Sequence, residues 1–141
     1  MGRNIGIPTR DATALVAAFW DAYPTLSRWV LSQTNKARRT PPVSLWGRRL
    51  SPHAPYAAAN AIIQGTAADV LKDGLLRLSQ KGLIRYVAAI VHDEVILDVP
   101  TDRAFEIVDQ VAAALEDDRF AVPITTEIEI FGFSWGCGYN K

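Results

Sequence analysis

Residues 60–78, NAIIQGTAADVLKDGLLRL, and residues 86–100, YVAAIVHDEVILDVP, decide the fold. The first stretch is Ala-rich at helical spacing and predicts a helix over 56–80. Gly65 and Gly74 each cost roughly 1 kcal/mol relative to Ala inside that helix. A glycine kept there needs a reason, and the usual one is the close approach of another backbone or a ligand. The second stretch changes period. YVAAIV (86–91) and VILDV (95–99) are short, β-branched apolar runs separated by His92-Asp93-Glu94, which predicts a β-hairpin with three titratable groups in its tight turn.

Upstream, TRDATALVAAFWDA (9–22) predicts a helix, with Thr9 as N-cap and Leu15, Val16, Phe19 and Trp20 at helical spacing. Pro24 breaks it. A second helix runs over 25–39, with Leu26, Trp29 and Val30 as its apolar stripe, until Thr40-Pro41-Pro42 ends it. Phe19, Trp20 and Trp29 are expected in the core. VSLWGRRL (43–50) reads as two short extended pieces around Gly47, a turn that presents Arg48 and Arg49. Downstream, a helix restarts at Pro100-Thr101-Asp102 and runs to about Asp118, with Phe105, Val108, Val111, Ala112 and Leu115 on one face. Glu116-Asp117-Asp118 is expected to be its solvated end. ITTEIEI (124–130) alternates and predicts a third strand, before the Gly- and aromatic-rich tail FGFSWGCGYNK, in which Cys137 is expected to be packed. Three helices, a hairpin, a helix and a strand make an α+β arrangement with a small antiparallel sheet.

The chain has 141 residues, of which 49% are apolar and 21% charged, enough for one domain with a modest core. It lacks the run of about 18 apolar residues that a transmembrane helix needs. MGRNIGIPTRD carries no apolar segment or cleavage site of a secretory signal. The lone Cys137 precludes an internal disulfide and argues against a Cys-based zinc site, so a reducing cytoplasm is the expected compartment. Net charge is zero, yet residues 1–85 hold twelve Lys/Arg against four Asp/Glu, whereas residues 86–141 hold three against eleven. Such asymmetry suits a chain whose basic part faces a polyanion, and it equally suits a set of solvated faces.

Three features can carry chemistry. The hairpin triplet His92-Asp93-Glu94 sets two adjacent carboxylates on a rigid turn, where they suit a hard cation such as Mg2+; on its own it also reads as three solvated turn residues. A two-metal site needs carboxylates from a second segment as well. Asn60 and Gln64, four apart on one helix face beside Gly65, have amides that donate and accept, which suits minor-groove base edges; the alternative is an ordinary exposed amide pair. Gly47-Arg48-Arg49 suits phosphate contact or is a solvated basic turn. His53 is expected to be structural or incidental.

In this order the features resemble the C-terminal part of a family A, polymerase I-like DNA polymerase of bacterial or phage type. VHDEV is similar to that family's palm motif C, and NAIIQGTAAD to the helix that precedes it. NIGIPTRDATALVAAFWDAYP is similar to the fingers segment beyond the nucleotide-binding helix, WGRRL to the turn that follows, and ITTEIEIFGFSWG to the closing strand and tail. The resemblance spans about Asn4 to Trp135. It implies a partial palm with flanking fingers-derived helices: fingers-derived helices and the Gly-Arg-Arg turn over 1–55, then palm helix, motif C hairpin, C-terminal helix and strand over 56–141. It implies that Asp93 ligates catalytic Mg2+, that Glu94 assists near the primer end, and that His92 positions the primer terminus. It implies that Asn60 and Gln64 touch the primer–template minor groove, with Arg48 and Arg49 as further DNA contacts.

The departures are specific. The first palm motif, with the second metal-binding aspartate, and the fingers helix that grips the incoming deoxynucleoside triphosphate have no counterpart in the sequence. The Arg that the family often carries before Asn60 is replaced near Tyr56. The resemblance therefore implies nucleotidyl transfer only when a second chain, or a missing N-terminal portion, completes the site, and no activity alone. An inactive remnant or a DNA-binding or assembly module is the alternative. An unpaired sheet edge is expected to make the isolated chain self-associate.

Overall fold

A computed structural model describes Gly6, residues 8–130 and Ser134. The tail with Trp135 and Cys137, and the segment that begins at Asn4, lie outside or at the margin of these residues. The elements are α1 (Thr9–Ala22), α2 (Pro24–Ala37), α3 (Ala58–Gln80), β1 (Val87–Val91), β2 (Glu94–Leu97) and α4 (Ala104–Leu115). Short 3-10 turns precede α3, β1 and α4. The α+β class expected from the sequence is what forms. The chain divides into two compact units, Met1–Ala67 and Ala68–Lys141, with the boundary inside α3.

In the first unit, Pro8 rather than Thr9 caps α1, its carbonyl accepting from the Asp11 and Ala12 amides at 3.0 Å each. Tyr23 ends α1, and Pro24 opens α2 at a position where its missing N–H costs nothing. Phe19 packs edge-on against Trp20, centroids 5.1 Å apart, and tilted against Tyr23 at 5.0 Å. These aromatics are not core: Phe19 is 44% exposed, and Trp20 and Trp29 are half-buried. Helical spacing sets which side chains share a face, but burial needs a second surface, and within this unit only Ala12 of α1 is buried.

The second unit has a core of Leu78, Leu83, Ile107, Val111 and Ala114, with Leu75, Tyr86, Val87, Leu97 and Val99 packed around it. It joins the C-terminal half of α3, the base of the hairpin and α4. Helix α4 buries Ile107, Val111 and Ala114; of the face read from the sequence Val111 is buried, whereas Phe105 is exposed. Glu106, Asp109 and Gln110 share one side of the helix, and Phe105 lies at the edge of the apolar arc beside them. A Cβ at Gly74 would lie 2.9 Å from Leu115 Cδ2, so the glycine lets the end of α4 seat on α3. Arg77 then caps α4, its Nε donating to the Ala114 carbonyl at 2.7 Å and its Nη1 to Asp73 at 3.0 Å.

Two further expectations need correction. Helix α4 stops at Leu115, and Asp117 is buried rather than solvated. It accepts from Arg119 Nε at 2.8 Å and exchanges backbone hydrogen bonds with Ile124 at 3.0 and 2.8 Å. The predicted strand at 124–130 reduces to that single bridge with Asp117. An alternating segment becomes a strand only where a neighbour offers a ladder, and among the described residues the sheet is the β1–β2 pair.

The Arg119 hydrogen bonds hold the Asp117 carboxyl at about 2, well below its ordinary 3.8. Because the folded-state pKa is the lower one, this contribution is full above about pH 4 and is lost as pH falls toward about 2. Urea melts across that range should show wild type losing stability more steeply than Asp117→Asn. Parallel curves would remove the pair from the acid response.

Candidate functional site

In the second unit, β1 and β2 pair antiparallel, with Val87 opposite Leu97, Ile90 opposite Val95 and Val91 opposite Glu94. That register leaves His92 and Asp93 as the two-residue loop. His92 has φ +55, the only positive φ at a non-glycine among the described residues. Positive φ at the first loop residue is the geometry a two-residue hairpin asks of glycine. A β-carbon there is strained by roughly 1–2 kcal/mol, and such strain concentrates at functional positions. His92, Asp93 and Glu94 are all exposed at the tip, while the hairpin's base packs on the core through Val87 and Leu97. The turn is therefore held at its foot and open at its end. Two adjacent carboxylates in that setting fit a hard cation that keeps water and phosphate among its ligands. Among the described residues no three His, Cys, Asp or Glu side chains converge as a metal cluster.

In the first unit, Asn60 and Gln64 lie one turn apart on α3, and both are exposed. Residues 43–50 form a small hairpin, closed by a Val43–Arg49 bridge and turned at Gly47 with φ +84. Its Ser44 amide donates to the Arg48 carbonyl at 2.8 Å, and the Arg48 amide donates to Ser44 Oγ at 3.1 Å. This hairpin docks on α3 immediately after Gln64. Arg48 Nη2 donates to the Gly65 carbonyl at 2.9 Å, and the Leu45 amide donates to Thr66 Oγ1 at 3.0 Å. The Leu50 methyls lie 2.7 and 3.0 Å from where a Gly65 Cβ would stand, so Gly65 serves this contact. Arg49 is exposed. His53 Nε2 and the Tyr56 hydroxyl are 2.9 Å apart, at the entry to α3.

Sequence reasoning singled out Gly65 but missed Ser44 and Thr66, whose roles depend on the hairpin's docking. No helix among the described residues is long and apolar enough to cross a membrane.

The family model of DNA polymerase family A matches residues 1–137. The DNA polymerase of Mycobacterium phage D29 is 31% identical over 143 residues, covering 99% of this chain and 24% of the phage protein. DNA polymerase I of Lactococcus lactis is 28% identical over 153 residues, covering 96% of this chain and 17% of that protein. The thermostable DNA polymerase I of Thermus aquaticus is 27% identical over 153 residues, covering 96% and 18%. The chain thus spans a quarter or less of the length of these relatives. The solved POL domain of Pol1 from M. smegmatis, in complex with DNA primer-template and dNTP, shares the fold with a TM-score of 0.66 at 23% identity, over 81% of this chain and 23% of that one. With the match running over nearly all of its length, the chain belongs to DNA polymerase family A.

Proposed function

We propose that this chain builds the primer-end side of a template-directed DNA polymerase active site and works in nucleotidyl transfer once the portion with the remaining polymerase motifs completes it. The observation that carries this reading is the hairpin tip, where Asp93 and Glu94 stand exposed and adjacent behind a strained His92. Asp93 and Glu94 would hold Mg2+ through carboxylate oxygens, together with a further aspartate from the completing portion, on a second chain or a longer polypeptide. Mg2+, when bound, stabilises charge on the reacting phosphate and lowers the pKa of the primer 3′-hydroxyl. His92 orients the primer terminus from the exposed tip of the hairpin. Asn60 and Gln64 read the primer–template minor groove, where purine N3 and pyrimidine O2 offer acceptors at every base pair. Arg49 meets the phosphate backbone. The incoming deoxynucleoside triphosphate is gripped by the completing portion, and the work is done in the cytoplasm.

The basic first half and acidic second half support the same division of labour, duplex contact in one and cation binding in the other. A direct check of the duplex contacts is Gln64→Ala in the completed polymerase. Losing one such hydrogen bond should weaken primer–template binding about three- to tenfold or lower fidelity at the terminal pair. Wild-type affinity and fidelity together would remove Gln64 from the DNA contact.

A further inference from the structure

We infer that Arg48 is a positioning residue: it pins the turn of α3 that carries Gln64, and does not serve as a phosphate contact. The role of Gln64 rests on the polymerase reading above; the pinning does not. Three contacts from residues 43–50 land on two consecutive residues of α3. The Arg48 guanidinium takes the Gly65 carbonyl at 2.9 Å, the Leu45 amide takes Thr66 Oγ1 at 3.0 Å, and Leu50 fills the space that a Gly65 side chain would need. A mid-helix carbonyl keeps a second lone pair after its own helical bond, and a guanidinium donor makes a strong use of it.

The hairpin that delivers Arg48 is itself braced. Ser44 is buried and holds both the amide and the carbonyl of Arg48, and the Leu50 amide donates to the Pro42 carbonyl at 2.9 Å. Arg48 is thus fixed at its backbone and at its guanidinium, with the fixed end one residue beyond Gln64. Arg48 is exposed, as is Arg49 on the same turn; what sets Arg48 apart is its Nη2 bond to the Gly65 carbonyl, and Arg49 is the matched control.

The test compares Arg48→Ala with Arg49→Ala, each removing one positive charge. Hydrogen exchange on the full chain should show amides of residues 60–66 exchanging about tenfold faster in Arg48→Ala, as for loss of one charge-assisted hydrogen bond, and unchanged in Arg49→Ala. Unchanged exchange in Arg48→Ala overturns the inference. In the completed polymerase, Arg48→Ala should weaken primer–template binding about five- to tenfold with the salt slope intact, and should add little in a Gln64→Ala background. A salt slope reduced by about one, with losses that add to those of Gln64→Ala, overturns it in favour of a phosphate contact. Faster exchange together with no duplex binding even by wild type would sink the polymerase reading and leave the pinning of α3 standing.

Discussion

Asp93→Ala is expected to reduce primer extension by at least about 10³-fold while leaving primer–template affinity within about twofold. The carboxylate sits at the exposed tip of a hairpin whose strands are paired up to Val91–Glu94, so truncating it removes an oxygen donor without disturbing the fold. A metal site that stabilises the reacting phosphate contributes several kcal/mol to the transition state, and each 1.36 kcal/mol is about tenfold in rate. In the proposed site, duplex affinity is assigned to Asn60 and Gln64 on α3 and to Arg49, so it should barely move. Primer extension and equilibrium duplex binding on the same preparation separate the two effects. Normal extension by Asp93→Ala would end the assignment.

The second large effect is structural. Leu78 is fully buried at the centre of the core that joins α3, α4 and the base of the hairpin. Leu78→Ala removes its transfer energy and leaves a cavity that helices held by Gly74 and Arg77 cannot readily close, a cost of about 2–5 kcal/mol. For a chain of this size that lowers Tm by roughly 8–20 °C. The consequence reaches function, because Val87 and Leu97 at the foot of the hairpin pack against the same cluster. Extension by the variant should fall well below the melting midpoint of wild type. Phe105→Ala, at a residue 75% exposed, should shift stability by no more than about 0.5 kcal/mol. Equal effects of the two substitutions would show that the core lies elsewhere.

Much of this was legible in the residues themselves. The hairpin announced itself by its change of period; the sequence placed His92, Asp93 and Glu94 together in its turn, whereas Glu94 pairs with Val91 and the loop is His92-Asp93. The helices at 9–22 and near 25–39 were punctuated by prolines, and α1 forms over Thr9–Ala22 as expected. Gly65 and Gly74 stood out because glycine inside a long helix costs stability, and both sit where another segment closes on α3: Leu50 with Arg48 at one, Leu115 at the other.

What was not legible depends on partners distant in sequence. Asp117 reads locally as a solvated helix end, yet Arg119 draws it inward while also reaching Asp73, 46 residues away. The apolar arc of α4 opposite Glu106, Asp109 and Gln110 is wide, and which of its residues are covered, Ile107 rather than Phe105, depends on the packed neighbours. The alternation at 124–130 promised a strand, but alternation supplies no ladder; Ile124 pairs with Asp117, and Thr126 is held by Glu116 through its amide and hydroxyl at 3.3 and 3.1 Å. At the candidate site, the residue types at 92–94 could be read directly. The positive φ of His92 and the turning of Arg48 onto α3 could not, since both are set by how the two hairpins close.

The central claim is that this chain supplies Asp93 to a polymerase active site completed by another portion. Tagged purification of the chain from its own source cells, followed by primer extension with Mg2+ on the recovered material, tests it most directly. Co-purification with the portion that bears the remaining polymerase motifs is expected, with extension that disappears when the tagged chain carries Asp93→Ala. Recovery of a lone 15.5 kDa chain without extension, or extension indifferent to Asp93→Ala, would contradict it.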